Sequence, residues 1–133
     1  MKFVDVYSWV DGTAHLLYVL LGERSIKQSI SHKKMPSFDE HIKFIRSRPY
    51  PYWYLIKVRK KYVGAIYLTD RREIGIGIFN DCRRNGYAET AIRKLMKLHP
   101  GKFLANINPK NRASIYLFKK VGFNRIQATY AKS

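Results

Sequence analysis

The segment between Glu73 and Met96 constrains the fold more than any other part of the chain. Isoleucine occupies every second position from Ile74 to Ile78, which is the alternation of a half-buried β-strand. A short basic loop with a glycine follows, and apolar residues then recur at helical spacing up to Met96. A strand joined through such a loop to a helix predicts an α/β domain. Gly75 and Gly77 fit either open space beside the strand or a bulge with tight packing.

Strand and helix patterns alternate along the rest of the chain, in the order β-α-α-β-β-β-α-β-α-β. Ser37 and Glu40 form a capping box that predicts the start of the second helix, and Gly22 predicts the end of the first. We expect one α/β (α+β) domain over residues 1–133, with a mixed, mostly antiparallel sheet of six to seven strands and about four flanking helices. The predicted strands are Lys2–Trp9, Tyr52–Val58, Tyr62–Thr69, Glu73–Phe79, Phe103–Ile107 and Phe123–Tyr130, and the helices start at Asp11 or Thr13, at Ser37, near Arg84 and at Asn111.

The charge balance is strongly positive. The chain has 26 lysines and arginines against 9 acidic residues, which gives a formal net charge of +17. Such a surface indicates a polyanionic partner, which is nucleic acid, an anionic membrane or a phosphorylated small molecule. Charge alone does not choose among these three.

The cysteine count and the hydropathy pattern bear on disulfides, metal binding and cellular location. Cys82 is the only cysteine, so the chain forms no internal disulfide and lacks the ligands of a zinc finger, and we expect no metal. The longest apolar run, Leu16–Leu21, is too short to cross a bilayer, and residues 1–11 do not have the pattern of a secretory signal. These features predict a cytoplasmic protein.

The loop after the 73–79 strand has the chemistry of a phosphate site. A helix beginning near Arg84 offers unpaired backbone N–H groups and the positive end of its dipole, and Gly86 lets an oxygen approach closely. Arg83 and Arg84 add positive charge. The spacing is neither a Walker loop nor the dinucleotide fingerprint. The alternative is an ordinary turn between strand and helix that carries surface arginines.

Two motifs resemble those of the GNAT superfamily of N-acetyltransferases. Arg83-x-x-Gly86-x-Ala88 is similar to its acetyl-CoA signature, and Asn111-Arg-Ala-Ser-Ile-Tyr-Leu-Phe-Lys-Lys-Val-Gly-Phe123 is similar to its second motif. Both stand in the expected order and context. Residues 105–107, Ala-Asn-Ile, are similar to the branch that includes ribosomal-protein and amino-sugar N-acetyltransferases.

The resemblance implies acetyl-CoA as co-substrate and direct attack of a primary amine on its thioester. Pantetheine would enter a gap between the fourth and fifth strands and pair with backbone there, as an added strand does. The pyrophosphate would lie on the amides from Arg84 to Ala88. The implied cofactor-binding residues are Ile76, Ile78, Phe79, Arg83, Arg84, Asn85, Gly86, Tyr87, Ala88, Asn111, Ser114 and Phe118.

The resemblance also suggests catalytic candidates. Glu73 is the candidate general base, and its alternative is a surface ion pair with Arg71 or Arg72. Phe118 stands where many members of the superfamily have a tyrosine acid, so Tyr116 is a substitute only if the helix register differs. A related branch has a glutamate base where Asn106 appears, and an amide cannot act as one.

His41, Tyr52 and Tyr54 are the candidate acceptor-site residues, and His32 and His99 are further ionisable groups. The acceptor would be a nucleotide-linked amino sugar or a protein or peptide amine, while the net charge of +17 disfavours a polyamine. Two other classes of function are also compatible with the sequence. One is a nucleic-acid-binding module, or a transferase whose acceptor is carried on RNA. The other is a non-catalytic acyl-CoA-binding protein. The early end of the last strand is compatible with a homodimer.

Overall fold

Aromatic and β-branched residues form the sheet of this protein. The computed structural model describes residues 1–28 and 35–132. Four strands pair in an antiparallel sheet in the order β1-β2-β3-β4, with one register irregularity between Ile56 and Lys57. The strands are β1 (Lys2–Asp5), β2 (Tyr52–Val58), β3 (Lys61–Leu68) and β4 (Ile74–Ile78). The predicted α/β class and the antiparallel pairing are confirmed.

Four α-helices flank the sheet, as the sequence predicts. They are α1 (Val10–Gln28), α2 (Phe38–Arg46), α3 (Tyr87–Leu98) and α4 (Arg112–Lys120), and short 3-10 turns cover Val6–Ser8 and Asn80–Cys82. Helices α1 and α2 pack on the sheet face of Gly77 and Trp53, where Leu20 and Phe44 meet them. Helix α3 packs on the opposite face, where Lys94 lies over the ring of Phe3. The core therefore lies on both faces of the sheet.

The prediction of six to seven strands is wrong for the described residues. Of the predicted strand Phe103–Ile107, only Leu104 forms a β-bridge, with Glu73. The predicted strand Phe123–Tyr130 is irregular and exposes Ile126 (78%) and Tyr130 (92%). Side-chain composition favours strands at both places, but a strand also needs a run of paired residues, which neither segment has among the described residues.

Helix α1 differs from its prediction at both ends. It begins at Val10, so neither expected cap residue serves as its N-cap, and the Thr13 hydroxyl instead donates to the carbonyl of Val6 at 2.9 Å. It also continues through Gly22 to Gln28. A glycine inside a helix costs only about 1 kcal/mol, and strong helix formers such as Glu23 follow it.

The start of α2 agrees with its capping-box prediction. The Ser37 hydroxyl accepts from the Glu40 backbone N–H at 3.2 Å, and the Glu40 carboxylate accepts from the Ser37 N–H at 3.1 Å. This cap fixes the register of the helix, which buries His41 and Ile45 on its inner face. The cap therefore determines where His41 lies.

Candidate functional site

Strand β4 lies at one edge of the sheet, and its outer side is paired only at its beginning. The Ile74 N–H donates to the carbonyl of Leu104, and the Leu104 N–H donates to the carbonyl of Arg72, both at 2.8 Å. In the part of the chain that the structure describes, no other strand pairs with this edge. The chain therefore leaves an open strand edge beyond Ile74.

The alternation of antiparallel hydrogen bonds shows which backbone groups face that edge. Glu73 and Phe79 bond to β3 and its flanks: the Glu73 carbonyl accepts from Thr69, and the Phe79 N–H donates to Val63, both at 2.9 Å. Every second residue of β4 therefore faces β3, and the residues between face outward. The backbone N–H and C=O groups of Ile76 and Ile78 consequently point to the open edge.

A cavity of about 310 Å³ lies between this open edge, the loop after β4, and the starts of α3 and α4. The structure brings ten of the twelve predicted cofactor residues to it. They are Ile76, Ile78, Arg83, Arg84, Asn85, Gly86, Tyr87, Ala88, Asn111 and Ser114. The other two, Phe79 and Phe118, are buried in the core and do not line the cavity.

The loop at this first cavity is shaped by left-handed backbone. Arg84 and Gly86 have φ values of 66° and 74°, and an added Cβ on Gly86 would meet no atom within 4 Å. The Asn85 amide donates to the carbonyls of Cys82 (3.0 Å) and Arg83 (3.1 Å), which fixes the turn. The free side of Gly86 therefore opens directly onto the cavity.

Helix α3 begins at Tyr87, three residues later than predicted, with Gly86 as its N-cap. Glycine has no side chain to cap the first-turn N–H groups, so these groups and the positive end of the helix dipole remain available to an anion. Arg83, Arg84 and Lys120 line the same cavity. The arrangement can bind a phosphate or pyrophosphate group.

An acidic residue, which the sequence analysis missed, also lines the first cavity. Glu89 forms ion pairs with Lys120 (3.0 Å) and Arg93 (3.2 Å), and these partners lower the pKa of its carboxyl. Arg93 follows Glu89 by four residues, a spacing visible in the sequence. Lys120 belongs to another helix, so only the fold brings it to Glu89.

Helix α4 presents a different ring to the cavity than the sequence predicts. Phe118 is 5% exposed and packs edge to face on Phe123, with ring centroids 5.1 Å apart. Tyr116 is 69% exposed and lines the first cavity. The Asn111 side chain accepts from the Ser114 N–H at 3.1 Å and so caps the helix. Tyr116, like Tyr87 at the start of α3, is therefore a phenol that lies near a ligand bound there.

Glu73 lies at the start of β4 and lines neither this cavity nor the second one. Its carboxylate accepts a hydrogen bond from the Asn106 amide. Among the described residues it forms no ion pair with either neighbouring arginine, because Arg72 donates instead to the carbonyls of His99 (2.6 Å) and Lys102 (3.0 Å). The structure thus shows an amide partner for this carboxylate.

A second cavity, of about 500 Å³, lies on the α1–α2 side of β4. Ile76 and Gly77 line both cavities, so the two meet at this strand. The second cavity is lined mainly by apolar and aromatic side chains. These include Leu17, Leu20, Leu21, Pro36, Phe44, Tyr50, Trp53, Ala65, Ile66 and Tyr67, together with Glu40, His41 and Gly75.

His41 is the candidate acceptor residue that the structure brings to the second cavity. It is 5% exposed, and its Nε2 has no hydrogen-bond partner among the described residues. Burial lowers the pKa of the imidazole, while a hydrogen bond to the Ala14 backbone opposes that shift. The Nε2 atom is enclosed by protein atoms, so the imidazole lines the cavity with other parts of its ring.

The structure places Tyr52 and Tyr54 elsewhere. The Tyr54 hydroxyl lies 2.8 Å from His99 Nε2, and the ring of Tyr52 stacks on His99 at 3.7 Å. Side chains on a strand alternate between faces, and Trp53 between these tyrosines faces the second cavity, so both tyrosines lie on the other side of the sheet. The consecutive aromatic residues Tyr52, Trp53 and Tyr54 therefore lie on both faces of the sheet, with Trp53 at the second cavity and the two tyrosines at His99. His32 lies outside the described residues.

The described residues give less support to a cysteine nucleophile or a metal site. Cys82 is buried at the first cavity, and burial raises the pKa of its thiol, which keeps it protonated. Within residues 1–28 and 35–132, no group of three or more histidine, cysteine or acidic side chains could hold a metal ion. No helix in the same residues is long and apolar enough to cross a membrane.

The chain belongs to the acetyltransferase (GNAT) family. Residues 14–124 match the family described as "Acetyltransferase (GNAT) domain". The resemblance seen in the motifs is therefore confirmed. A comparison with curated protein sequences gives no match.

Several solved structures share the fold at low sequence identity. A ribosomal-protein-alanine N-acetyltransferase from Brucella melitensis is 14% identical, with a TM-score of 0.78 over 96% of this chain and 86% of that one. A putative acetyltransferase from Salmonella typhimurium, solved with acetyl-CoA, is 15% identical, with a TM-score of 0.72 over 92% and 77%. A spermidine/spermine N-acetyltransferase from Vibrio cholerae is 18% identical, with a TM-score of 0.69 over 92% and 77%. These acceptors differ, so the fold does not identify the acceptor of this chain.

Proposed function

We propose that this protein transfers the acetyl group of acetyl-CoA to a primary amine, with the thioester in the first cavity and the amine in the second. The observation that carries this proposal is that the two cavities meet at Ile76 and Gly77, on the strand with the open edge. A donor and an acceptor bound on opposite sides of β4 would bring their reacting atoms together there. Such positioning is a large part of catalysis for a two-substrate reaction.

Two parts of acetyl-CoA would bind in different ways, the pantetheine by strand pairing and the pyrophosphate by its negative charge. Its pantetheine amides would pair with the outward-facing backbone of Ile76 and Ile78, as a peptide pairs with a sheet edge. Its pyrophosphate would lie at the start of α3, beside Arg83 and Arg84. Two structures of the same fold were solved with acetyl-CoA, which supports acetyl-CoA as the donor.

The reaction forms one bond and breaks one. The amine nitrogen attacks the thioester carbonyl carbon, the C–S bond of the tetrahedral intermediate breaks, and the thiolate of CoA leaves. A backbone N–H of β4 would stabilise the oxyanion. The amine loses one proton, which Glu73 would accept through intervening waters because this carboxylate lines neither cavity. The thiolate gains one proton, for which Tyr87 and Tyr116 are the candidate donors, since both phenols line the first cavity.

The net charge of +17 favours a second candidate property, binding to nucleic acid or to an acceptor carried on it. This property would show as RNA affinity that falls steeply with salt. A cytoplasmic location, and a dimer through the irregular segment 123–132, remain predictions from the sequence. Binding of acetyl-CoA without turnover of any amine would indicate the non-catalytic alternative.

Calorimetric titration tests the donor assignment. We expect saturable binding of acetyl-CoA, weaker binding of 3′-dephospho-CoA, and binding reduced at least tenfold in the double variant R83E/R84E. The matched control is K60E/R71E, which changes the net charge equally at exposed residues that line neither cavity. Equal losses in both variants would mean that general electrostatics, and not the loop, binds the cofactor. Tight, salt-sensitive RNA binding without acetyl-CoA binding would overturn the proposed function.

A further inference from the structure

We propose that the side of β1 and β2 that faces α3 binds single-stranded RNA, with bases stacked on a row of aromatic rings and phosphates bound by neighbouring lysines and arginines. The aromatic row consists of Phe3, Tyr54, His99 and Tyr52. None of the four is among the described lining of either cavity. This surface is therefore separate from the acetyl-transfer site, and its ligand would bind independently of acetyl-CoA.

The α3 side of the sheet is only partly covered by that helix. Helix α3 packs on β3 and β4. It contacts β1 through Lys94, whose Nζ donates to the carbonyl of Met1 at 2.7 Å and lies 5.1 Å from the ring centre of Phe3. Phe3 and Tyr54 are half-buried, and Tyr52 is 40% exposed. Strands β1 and β2 therefore present aromatic side chains on a partly open sheet face.

The rings of the aromatic row are nearly parallel to one another. Phe3 stacks on Tyr54, with centroids 5.0 Å apart and ring planes at 19°. His99 continues the row, because it stacks on Tyr52 at 3.7 Å and its Nε2 lies 2.8 Å from the Tyr54 hydroxyl. Burial lowers the pKa of His99, and Arg72 adds to this shift, so the imidazole is neutral at pH 7 and contributes a flat ring. Aromatic rings on an open sheet face stack with unpaired bases.

Positive side chains lie beside the His99 end of the aromatic row. Arg72 donates to the carbonyl of His99 at 2.6 Å and to the carbonyl of Lys102 at 3.0 Å, which holds both residues beside its guanidinium. Lys102 is exposed, and so is Lys97, two residues before His99. Asp5, on β1, is an acidic residue whose charge acts on the row, but these cations outnumber it. The surface thus complements both the bases and the phosphates of a polynucleotide.

A single strand fits this surface better than a duplex does. The bases of a duplex stack on one another and expose only their edges in the grooves. A single strand offers the flat faces of its bases to aromatic rings and its phosphates to cations. Unpaired bases are a regular feature of the loops, bulges and ends of RNA, and we therefore assign the surface to RNA.

Fluorescence anisotropy with a labelled oligouridylate of about twelve nucleotides tests the surface. We expect saturable binding to the full chain, with a Kd that rises about tenfold or more between about 50 and 200 mM salt. Y52A should weaken binding about tenfold. The matched control is Y130A, which removes a tyrosine that is 92% exposed outside the row and should stay within about twofold of the parent protein. Equal losses in the two variants, or no saturable binding, would contradict the role of the row.

A pair of double variants tests the contribution of the cations. K97E/K102E should weaken binding of the same oligonucleotide about tenfold or more. The matched control is K43E/K60E, which changes the net charge equally at exposed lysines, and Lys43 lies on α2 at the opposite face of the sheet. Equal losses in K97E/K102E and K43E/K60E would mean that the net charge of the chain, and not this surface, binds RNA.

A crosslinking measurement on the unaltered protein avoids dependence on the folding of those variants. Ultraviolet light crosslinks uridine to aromatic side chains, and mass spectrometry identifies the crosslinked residue. We expect crosslinks at Tyr52, Tyr54 or Phe3. Crosslinks only at other residues, such as the loop 83–88, would overturn the inference, and so would tighter binding of an RNA duplex or of oligothymidylate than of oligouridylate. None of these outcomes depends on acetyl-CoA, so calorimetry tests the proposed function separately.

Discussion

The contact between Gly75 and Tyr67 allows a quantitative test of the second cavity. An alanine at position 75 would place its methyl group inside the ring of Tyr67, its cross-strand partner on β3. Gly75 does not have a positive φ, so its backbone conformation itself accepts alanine. The expected effect of G75A is therefore steric, and it acts on the aromatic side chains that line the second cavity.

The size of that effect follows from two opposing contributions. Displacing the Tyr67 ring breaks its 3.9 Å stacking with Tyr50, and overpacking of this kind costs about 1–3 kcal/mol. Alanine also restricts the unfolded chain, which stabilises the protein by about 0.4–1 kcal/mol. We expect G75A to lower the free energy of unfolding by about 1–2 kcal/mol, or roughly 4 °C in Tm for each kcal/mol.

Urea unfolding monitored by fluorescence measures this change, with G77A as the matched control. A Cβ on Gly77 would lie 3.3 Å from Cδ2 of Leu20, a flexible side chain that can move. G77A should therefore stay within about 0.5 kcal/mol of the parent protein. If G75A is as stable as G77A, or more stable than the parent, the described packing of Tyr67 is wrong.

Three further predictions concern the Glu73 carboxylate, two histidines and the α2 cap. E73Q should lower turnover about a hundredfold and leave the Kd of acetyl-CoA unchanged; equal turnover would remove Glu73 from the mechanism. Burial lowers the pKa of both His41 and His99, and Arg72 adds to the effect at His99, so the unfolded chain binds protons more readily. The free energy of unfolding should be highest above pH 6.5 and should fall as the pH drops below 6.5. In H99Q this fall should be less steep. A free energy of unfolding that does not change between pH 7.5 and 5 would contradict this. S37A should destabilise the protein by about 1 kcal/mol in urea unfolding, whereas S37D, which keeps a side-chain acceptor at the N-cap, should lose less; equal losses would mean that the hydroxyl does not act as a cap.

Local signals in the sequence are enough to predict the elements that depend on neighbouring residues. The capping box at Ser37 depends on residues three positions apart, and the predicted helix starts there. The isoleucine alternation likewise predicts β4. The segments 103–107 and 123–130 have strand composition but, apart from the bridge of Leu104 to Glu73, are unpaired among the described residues, and pairing is a property of the whole fold.

In the candidate site, too, features that depend on neighbouring residues are predictable and features that depend on the whole fold are not. The loop from Arg83 to Ala88 is predictable because its motif is contiguous, and all of its predicted residues line one cavity. Tyr116 lines the cavity and Phe118 is buried against Phe123, which differs from the expected placement because the rotation of α4 depends on packing between distant residues. The ion pair between Glu89 and Lys120 joins two helices, which no local spacing indicates.

The two cavities are built from different parts of the chain. Residues 17–77 line the second cavity and residues 76–120 line the first, so β4 is the element they share. On the proposed function, donor and acceptor recognition would be encoded in successive halves of the sequence. If the second cavity holds the amine, replacing the first two helices with those of another family member should change which amine is accepted and leave the binding of acetyl-CoA unaltered.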